Sequence, residues 1–169
     1  SAYMGTVGGF VIVSAADPSC HTSPNEQDHR YLARMSYIPV LDPRDPDEAS
    51  RMTRAAFELS ERWRVPVIMR HTTRVAHTQG VVGLGPLPDP PERGAFERNP
   101  GQFVPVPMTA RRERADLVER LRAATADAET LPFNSLEPGT GKLGIVTSGV
   151  TRAYVLDALD DLGLAGEVH

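Results

Sequence analysis

The chain has 169 residues, which fits one ordinary domain, and 40% of them are apolar, enough to bury a core. A net charge of -4 with dispersed basic residues excludes the basic footprint of a nucleic-acid-binding protein. The single cysteine, Cys20, excludes an internal disulfide and an iron–sulfur cluster held by this chain alone, and it favours a reducing cytoplasm. We also expect no membrane span and no signal peptide, because no apolar run approaches roughly 20 residues and the N-terminus lacks a basic region.

The first predicted elements are a buried strand and a helix. The apolar run FVIVSA, from Phe10, is rich in β-branched residues and predicts a buried strand of a parallel sheet. The segment Ser23-Pro24-Asn25-Glu26 fits a capping box, so a helix is expected from there to about Ser36. Its inward-facing residues would be Tyr31, Leu32 and Met35.

The next elements repeat this alternation. IPVLDP, from Ile38, predicts a second short strand, and VPVIM, from Val65 to Met69, predicts a third. Between them, Asp45 is a candidate N-cap for the clearest helix of the chain. Its apolar face has steps of three and four residues: Ala49, Met52, Ala56, Leu59 and Trp63. The alternation indicates an α/β fold with parallel strands and helical crossovers.

The pattern breaks after residue 78. From Gln79 to Pro107 there is no helical or strand periodicity, which indicates a long connector. An arginine-rich amphipathic helix is predicted from Thr109 to about Thr130, with Leu117, Val118, Leu121 and Ala124 as its apolar face. LGIVTSG, from Leu143 to Gly149, predicts a fourth buried strand, and the helix after it would end at Gly163. GTGKLG, before that strand, is a turn rather than a phosphate-binding loop, because its glycines precede the strand.

The stretch DPSCHTSPNEQDHRY, residues 17 to 31, concentrates polar chemistry after the first strand, and three interpretations compete. A metal site would use His21, Glu26, Asp28 and His29, although His21 precedes the predicted cap and Glu26 and His29 have only the weaker i, i+3 helical spacing. A hydrolytic site would use Cys20 or Ser23, although no nucleophile elbow of the G-x-S-x-G kind is present. The third interpretation is one wall of a site completed by other parts of a protein.

A second polar cluster, RHTTRVAHT from Arg70, follows the third strand. Because open parallel sheets bind ligands beyond the carboxyl ends of their strands, both clusters should border one crevice. Arginine suits a carboxylate ligand, since its planar fork can bind both oxygens, and either Arg70 or Arg74 could do this. The structural alternative is that Arg74 and His77 only anchor the connector.

GGFVIVSAADPSCHTSPNEQDHRYLARM resembles the alpha subunit of indolepyruvate:ferredoxin oxidoreductase, a member of the thiamine-diphosphate-dependent 2-oxoacid:ferredoxin oxidoreductase family. Further similar pieces follow in order: IPVLDPRDPDEA, AFELSERWRVPVIMRHTTRVAHT, GAFERNPGQFVPVPMTAR and GKLGIVTSGVTRAYVLDAL. The N-E-Q-D and T-T-R-V-x-H segments are the most specific parts of the resemblance.

The resemblance implies an enzyme that oxidatively decarboxylates aryl 2-oxoacids to acyl-coenzyme A and passes electrons through iron–sulfur clusters to ferredoxin. It implies thiamine diphosphate, magnesium and iron–sulfur clusters in the full enzyme, none of them held by this chain alone. It also implies a beta subunit as partner. Residues 1–78 would be the C-terminal part of a pyrimidine-binding-like α/β domain, residues 79–140 a connector strap with one amphipathic helix, and residues 141–169 the start of a transketolase C-terminal-like α/β domain.

Three features of that family have no match here: the cofactor-activating glutamate segment, the G-D-G magnesium motif and the cysteine cluster sites. The chain is therefore expected to be a fragment, inactive by itself and prone to self-association through its unpaired strand edges and apolar helix faces. Two alternatives stay open. One is another 2-oxoacid:ferredoxin oxidoreductase, acting on pyruvate or 2-oxoglutarate, and the other is a non-catalytic α/β interaction module.

The candidate ligand-binding residues combine strand-end position with this resemblance. His21 and Asn25 would hydrogen-bond the cofactor or the substrate, and Arg70 or Arg74 would bind the substrate carboxylate. No residue is assigned a catalytic role, and none is assigned to a metal. The full cofactor- or substrate-binding set is His21, Asn25, Glu26, Gln27, Asp28, Arg70, Thr72 and Arg74.

Overall fold

The computed structural model describes residues 2–87, 89, 94–96 and 98–169. Its elements, in chain order, are β1 Val11–Ala16, α1 Arg30–Ser36, β2 Val40–Leu41, α2 Pro46–Trp63, β3 Val67–Thr72, α3 Thr73–His77, α4 Pro100–Phe103, α5 Pro107–Ala128 and α6 Val150–Asp161. In this part of the chain no helix combines the length and the apolar character needed to cross a membrane.

The sheet has three parallel strands in the order β1-β3-β2. β1 pairs with β3 from Val11 opposite Val67 to Ala16 opposite Thr72, and β2 pairs with β3 through two residues. Helices connect successive strands, so the predicted α/β alternation with parallel strands is confirmed. The shared direction brings the carboxyl ends of β1 and β3 together at one edge of the sheet.

The core lies where α2 packs on the sheet and α5 packs against α2. Asp45 caps α2 as predicted, because its side chain accepts a hydrogen bond of 2.7 Å from the Glu48 backbone N–H. All five residues of the predicted α2 face are buried. All of them except Ala49 pack in one cluster with Val65, Val67 and Met69 from the β3 region and with Leu117 and Ala124 of α5.

The start of α1 differs from the prediction. The helix begins at Arg30, seven residues after the predicted cap at Ser23, and no capping box forms. The cause is a competing carboxylate, because the Ser23 backbone N–H donates to Asp17 at 2.6 Å. The inward face predicted for α1 is also wrong: Tyr31, Leu32 and Met35 are all exposed, since no described element covers them.

The strands differ from the prediction in burial and extent. β1 is an edge strand of the described sheet, so Val13 is 69% exposed rather than buried. β3 begins later and continues past Met69 to Thr72, since its last residues pair with Ser14–Ala16 of β1. The sequence Thr73–His77 then forms the short helix α3, which local patterning did not predict.

In the connector region, α5 matches the predicted amphipathic helix within two residues at each end. Leu117 and Ala124 are buried against the core, as expected. The structure adds a four-residue helix, α4, before it. Residues 88, 90–93 and 97 of the predicted strap lie outside the described residues.

The predicted fourth strand, over residues 143–149, is not formed. Val146 is fully exposed, and the Ile145 N–H donates to the His169 carbonyl at 2.8 Å, while the His169 N–H donates to the Leu143 carbonyl at 3.0 Å. These two hydrogen bonds have the pattern of parallel strands, with α6 as the connection between them. They do not make a strand, because a strand needs a longer run of backbone hydrogen bonds. α6 ends as predicted: Gly163 adopts a positive φ of 67°, and the bonds around it close a Schellman motif.

Candidate functional site

Asp17, the first residue after β1, organises the polar loop that follows it. Its buried carboxylate accepts hydrogen bonds from the backbone N–H groups of His21 at 3.0 Å, Thr22 at 2.6 Å and Ser23 at 2.6 Å. The hydroxyls of Thr22 and Thr73 donate to it at 3.1 Å and 2.7 Å. Because Thr73 follows β3, these bonds fasten the two polar segments to each other.

The environment of Asp17 keeps this carboxylate ionised. Burial alone would raise its pKa, but the hydrogen bonds from the Thr22 backbone, the Thr73 hydroxyl and the backbones of Ser23 and His21 together outweigh that effect. The pKa of Asp17 is therefore held well below its usual range. An ionised carboxylate accepts five bonds at once, so it is a structural anchor rather than a proton donor.

Residues bonded to Asp17 border an open pocket of about 550 Å³, which we call the His21 pocket. It is lined by His21, Thr22, Thr73, Arg74, His77 and Thr78. The structure thus brings together two of the predicted site residues, His21 and Arg74, from the ends of different strands. Among the residues described, none of the three basic side chains has an ion-pair partner, and no acidic side chain lines the pocket.

Arg70 and Asp28 belong to a different group of charges, the Arg70 cluster, formed by Asp28, Arg30, Asp42 and Arg70. Arg70 is buried, and its Nη1 donates to both carboxylate oxygens of Asp42 at 3.0 Å. Its Nη2 lies 3.9 Å from Asp28 Oδ1. Neither Arg70 nor Asp28 lines the His21 pocket.

Asp28 also binds Arg30 with two parallel hydrogen bonds, of 2.9 Å from Nε and 2.7 Å from Nη2. These side-chain bonds are the main cause that lowers the pKa of Asp28 to about 2, and burial opposes them. The positive charges of Arg30 and Arg70 lower it further. The Arg70 cluster is therefore neutralised within the chain.

The remaining candidates are distributed around these two groups. Asn25 and Glu26 are exposed, and Glu26 accepts a hydrogen bond of 3.2 Å from the Ser19 N–H instead of capping a helix. Gln27 is half-buried. The Thr72 hydroxyl is buried, and it has no hydrogen-bond partner among the described residues.

Sequence reasoning did not single out Asp17, Thr73 or the contact between Ser14 and His29. The Ser14 hydroxyl and His29 Nδ1 are 2.6 Å apart, which fixes the loop just before α1. The signal for Asp17 was present, because an aspartate directly after a strand and before Ser and Thr residues tends to accept bonds from the following backbone. In the described part of the chain no cluster of three His, Cys, Asp or Glu residues could hold a metal ion.

No protein-family model matches the chain. Its sequence is similar to proteins named indolepyruvate oxidoreductase subunit IorA: it is 47% identical to the Methanothermobacter marburgensis protein over 165 residues, 42% identical to the Thermococcus kodakarensis protein over 167, and 38% identical to the Archaeoglobus fulgidus protein over 164. These matches cover 95–96% of this chain but only 26–27% of each relative, in agreement with the expected fragment. The chain is thus homologous, over nearly all of its length, to about a quarter of the indolepyruvate oxidoreductase subunit IorA.

Proposed function

We propose that this chain forms one wall of the active site of an indolepyruvate oxidoreductase that converts aryl 2-oxoacids to acyl-coenzyme A with ferredoxin as electron acceptor. Similarity to IorA proteins across 96% of the chain supports the reaction class. The geometric observation that carries the proposal is the 2.7 Å hydrogen bond between Thr73 and Asp17, which joins the ends of β1 and β3 in one crevice. The names of the relatives do not favour a non-catalytic interaction module.

The His21 pocket fits the anionic end of the substrate. Its basic side chains, His21, Arg74 and His77, are free of ion pairs within the described chain, so they are available to a carboxylate. Arg70 is less suitable, because its Nη1 is bound to Asp42 at 3.0 Å and its Nη2 lies 3.9 Å from Asp28, so its charge is already balanced. Arg74 is therefore the proposed carboxylate ligand, and the Arg70 cluster has a positioning role.

His21 and Asn25 fit only part of the expected cofactor. Thiamine diphosphate, when bound, supplies the electron sink for loss of carbon dioxide. The His21 ring and the Asn25 amide are suited to hydrogen bonds with the cofactor ring or the 2-oxo group. The sequence lacks the G-D-G magnesium motif of the family that it resembles, so we assign the metal and the diphosphate to parts of the enzyme outside this chain.

The proposed reaction needs partners that supply what this chain lacks. The remaining domains of the subunit would supply the diphosphate site, and a second subunit, coenzyme A and ferredoxin would complete the reaction. The side chains of Val13, Tyr31 and Met35 are exposed, and we expect those domains to cover them. In the isolated chain the same side chains would favour self-association.

The test is steady-state kinetics of the complete enzyme with Arg74→Gln. Loss of a hydrogen bond to a charged group costs about 1.5–3 kcal/mol, so KM for indolepyruvate should rise roughly ten- to a hundredfold. The matched control is Arg122→Gln, since Arg122 is exposed on α5 and pairs only with Glu119 among the described residues. An unchanged KM in the Arg74 variant would refute this role, and comparison with pyruvate and 2-oxoglutarate would identify the preferred 2-oxoacid.

A further inference from the structure

A second cavity, separate from the His21 pocket, lies beyond the β2 edge of the sheet. This cleft has a volume of about 750 Å³ and is bounded by α1, β2, the C-terminal end of α5 and the residues before α6. It shares no residue with the His21 pocket. Its size falls within the range of roughly 300–1,000 Å³ typical of small-molecule sites.

Three aromatic side chains make the cleft suitable for a flat apolar group. Tyr37, Trp63 and Phe133 all line it. Two of them are held in place from outside the cleft: the Arg114 guanidinium lies 4.3 Å from the centroid of the Tyr37 ring, and Trp63 Nε1 donates to Asp127 at 2.8 Å. A preformed aromatic wall of this kind favours stacking on an aromatic ligand.

The charges around the cleft divide into paired and unpaired groups. Most of those that line it are matched by an acid or a base of the same chain: Arg30 by Asp28, Arg44 by Asp45 and Glu48, Arg152 by Glu137, and Asp42 by Arg70. Among the described residues that line the cleft, Arg34 and Glu129 alone lack an ion pair. The cleft therefore offers one available cation and one available anion.

The positions of these two side chains favour opposite charges on a ligand. Arg34 lies in the last turn of α1 and offers a guanidinium fork suited to a carboxylate. Glu129 is the C-cap of the 22-residue helix α5, where the helix dipole also favours a positive group. The buried Thr147 hydroxyl, which lines the cleft without a hydrogen-bond partner in the described chain, offers an additional polar contact.

We propose that this cleft binds a small aromatic zwitterion, the chemical class of an aromatic amino acid. The ring would stack on Tyr37 and Phe133 beside the mostly buried Trp63, the carboxylate would bind Arg34, and the ammonium group would bind Glu129. This is a ligand site distinct from the proposed active site, because the two cavities have no residue in common.

The experiment uses the fluorescence of Trp63, the single tryptophan of the chain. The probes are L-phenylalanine, 3-phenylpropionate, which lacks the ammonium group, phenethylamine, which lacks the carboxylate, and glycine, which lacks the ring. L-phenylalanine should change Trp63 emission and raise the melting temperature. The two half-matched probes should bind about tenfold more weakly or worse, and glycine should not bind.

Two variants of exposed side chains test which charged group of the ligand each side chain binds. Arg34→Gln should weaken L-phenylalanine and 3-phenylpropionate about tenfold and leave phenethylamine unchanged. Glu129→Gln should weaken L-phenylalanine and phenethylamine and leave 3-phenylpropionate unchanged. Both side chains are exposed, so neither change removes core packing. Equal affinity for L-phenylalanine and 3-phenylpropionate, loss of all ligands in both variants, or no response to L-phenylalanine would overturn the proposal.

Discussion

The Arg70 cluster and the His21 pocket each contain an arginine from the β3–α3 segment, but their charges are balanced differently. In the Arg70 cluster, Arg70 is bound to Asp42 at 3.0 Å and approaches Asp28 at 3.9 Å. In the His21 pocket, Arg74 has no ion pair among the described residues. The difference indicates that the first group maintains the loop and the strand, while the second is available to a ligand.

The largest expected effect comes from breaking the buried ion pair. Arg70→Ala or Asp42→Ala should lower the free energy of unfolding by about 3–5 kcal/mol, because each leaves a buried charge without its partner. Urea denaturation measures the loss. The double variant Arg70→Met with Asp42→Leu should recover most of it, and a double variant as unstable as the single ones would contradict the pairing.

A smaller loss is expected at Gly149, which contacts the same carboxylate. Gly149 has a φ of 58°, and a Cβ there would lie 2.8 Å from Cγ and both oxygens of Asp42. Gly149→Ala should therefore lower the free energy of unfolding by about 1–3 kcal/mol. The matched control is Gly8→Ala, since a Cβ at Gly8 meets nothing within 4 Å. Equal stability of the two variants would show that the approach to Asp42 is unimportant.

The pH dependence of stability tests the ion pairs of the Arg70 cluster. The pKa of Asp28 is lowered from 3.8 to about 2, so its ionised form stabilises the fold above pH 3.8, and this contribution is lost as the pH falls towards 2. Asp28→Asn should lower stability at neutral pH and flatten its decline across that acid range. Thermal melts at several pH values measure the slope. Asp160→Asn, on the exposed surface of α6, is the control and should keep the wild-type slope.

The smallest effect is expected in the His21 pocket. Arg74→Gln should change the free energy of unfolding by no more than about 0.5 kcal/mol, because Arg74 is exposed and unpaired in the described chain. Urea denaturation beside Arg70→Ala gives the direct comparison. A destabilisation as large as that of Arg70→Ala would mean that Arg74 is a structural residue.

The parts of the fold that depend on local signals were predictable. α2 followed from the Asp45 cap and a regular apolar face, and α6 ended where Gly163 allows a left-handed residue. The start of α1 was not, because the capping pattern at Ser23 competes with the buried Asp17 carboxylate, which accepts the Ser23 N–H. The strand predicted at 143–149 failed because strand formation depends on partners that local sequence does not specify.

The site was predictable to a similar extent. Parallel topology was enough to bring His21 and Arg74 to one edge. It could not distinguish Arg74 from Arg70, because that difference depends on Asp42, which is distant in sequence. The alternation of side chains along a strand could have distinguished the two arginines in part. It places Arg70 on one face of β3, whereas Arg74 lies beyond the end of the strand.

The most direct test of the central claim is a structure of the complete enzyme with bound indolepyruvate and without thiamine diphosphate, so that the substrate keeps its carboxylate. The account predicts the substrate carboxylate at hydrogen-bonding distance, about 3 Å, from the Arg74 guanidinium, with Arg70 still bound to Asp42. A carboxylate bound to Arg70, or located well beyond hydrogen-bond reach of the His21 pocket, would contradict it.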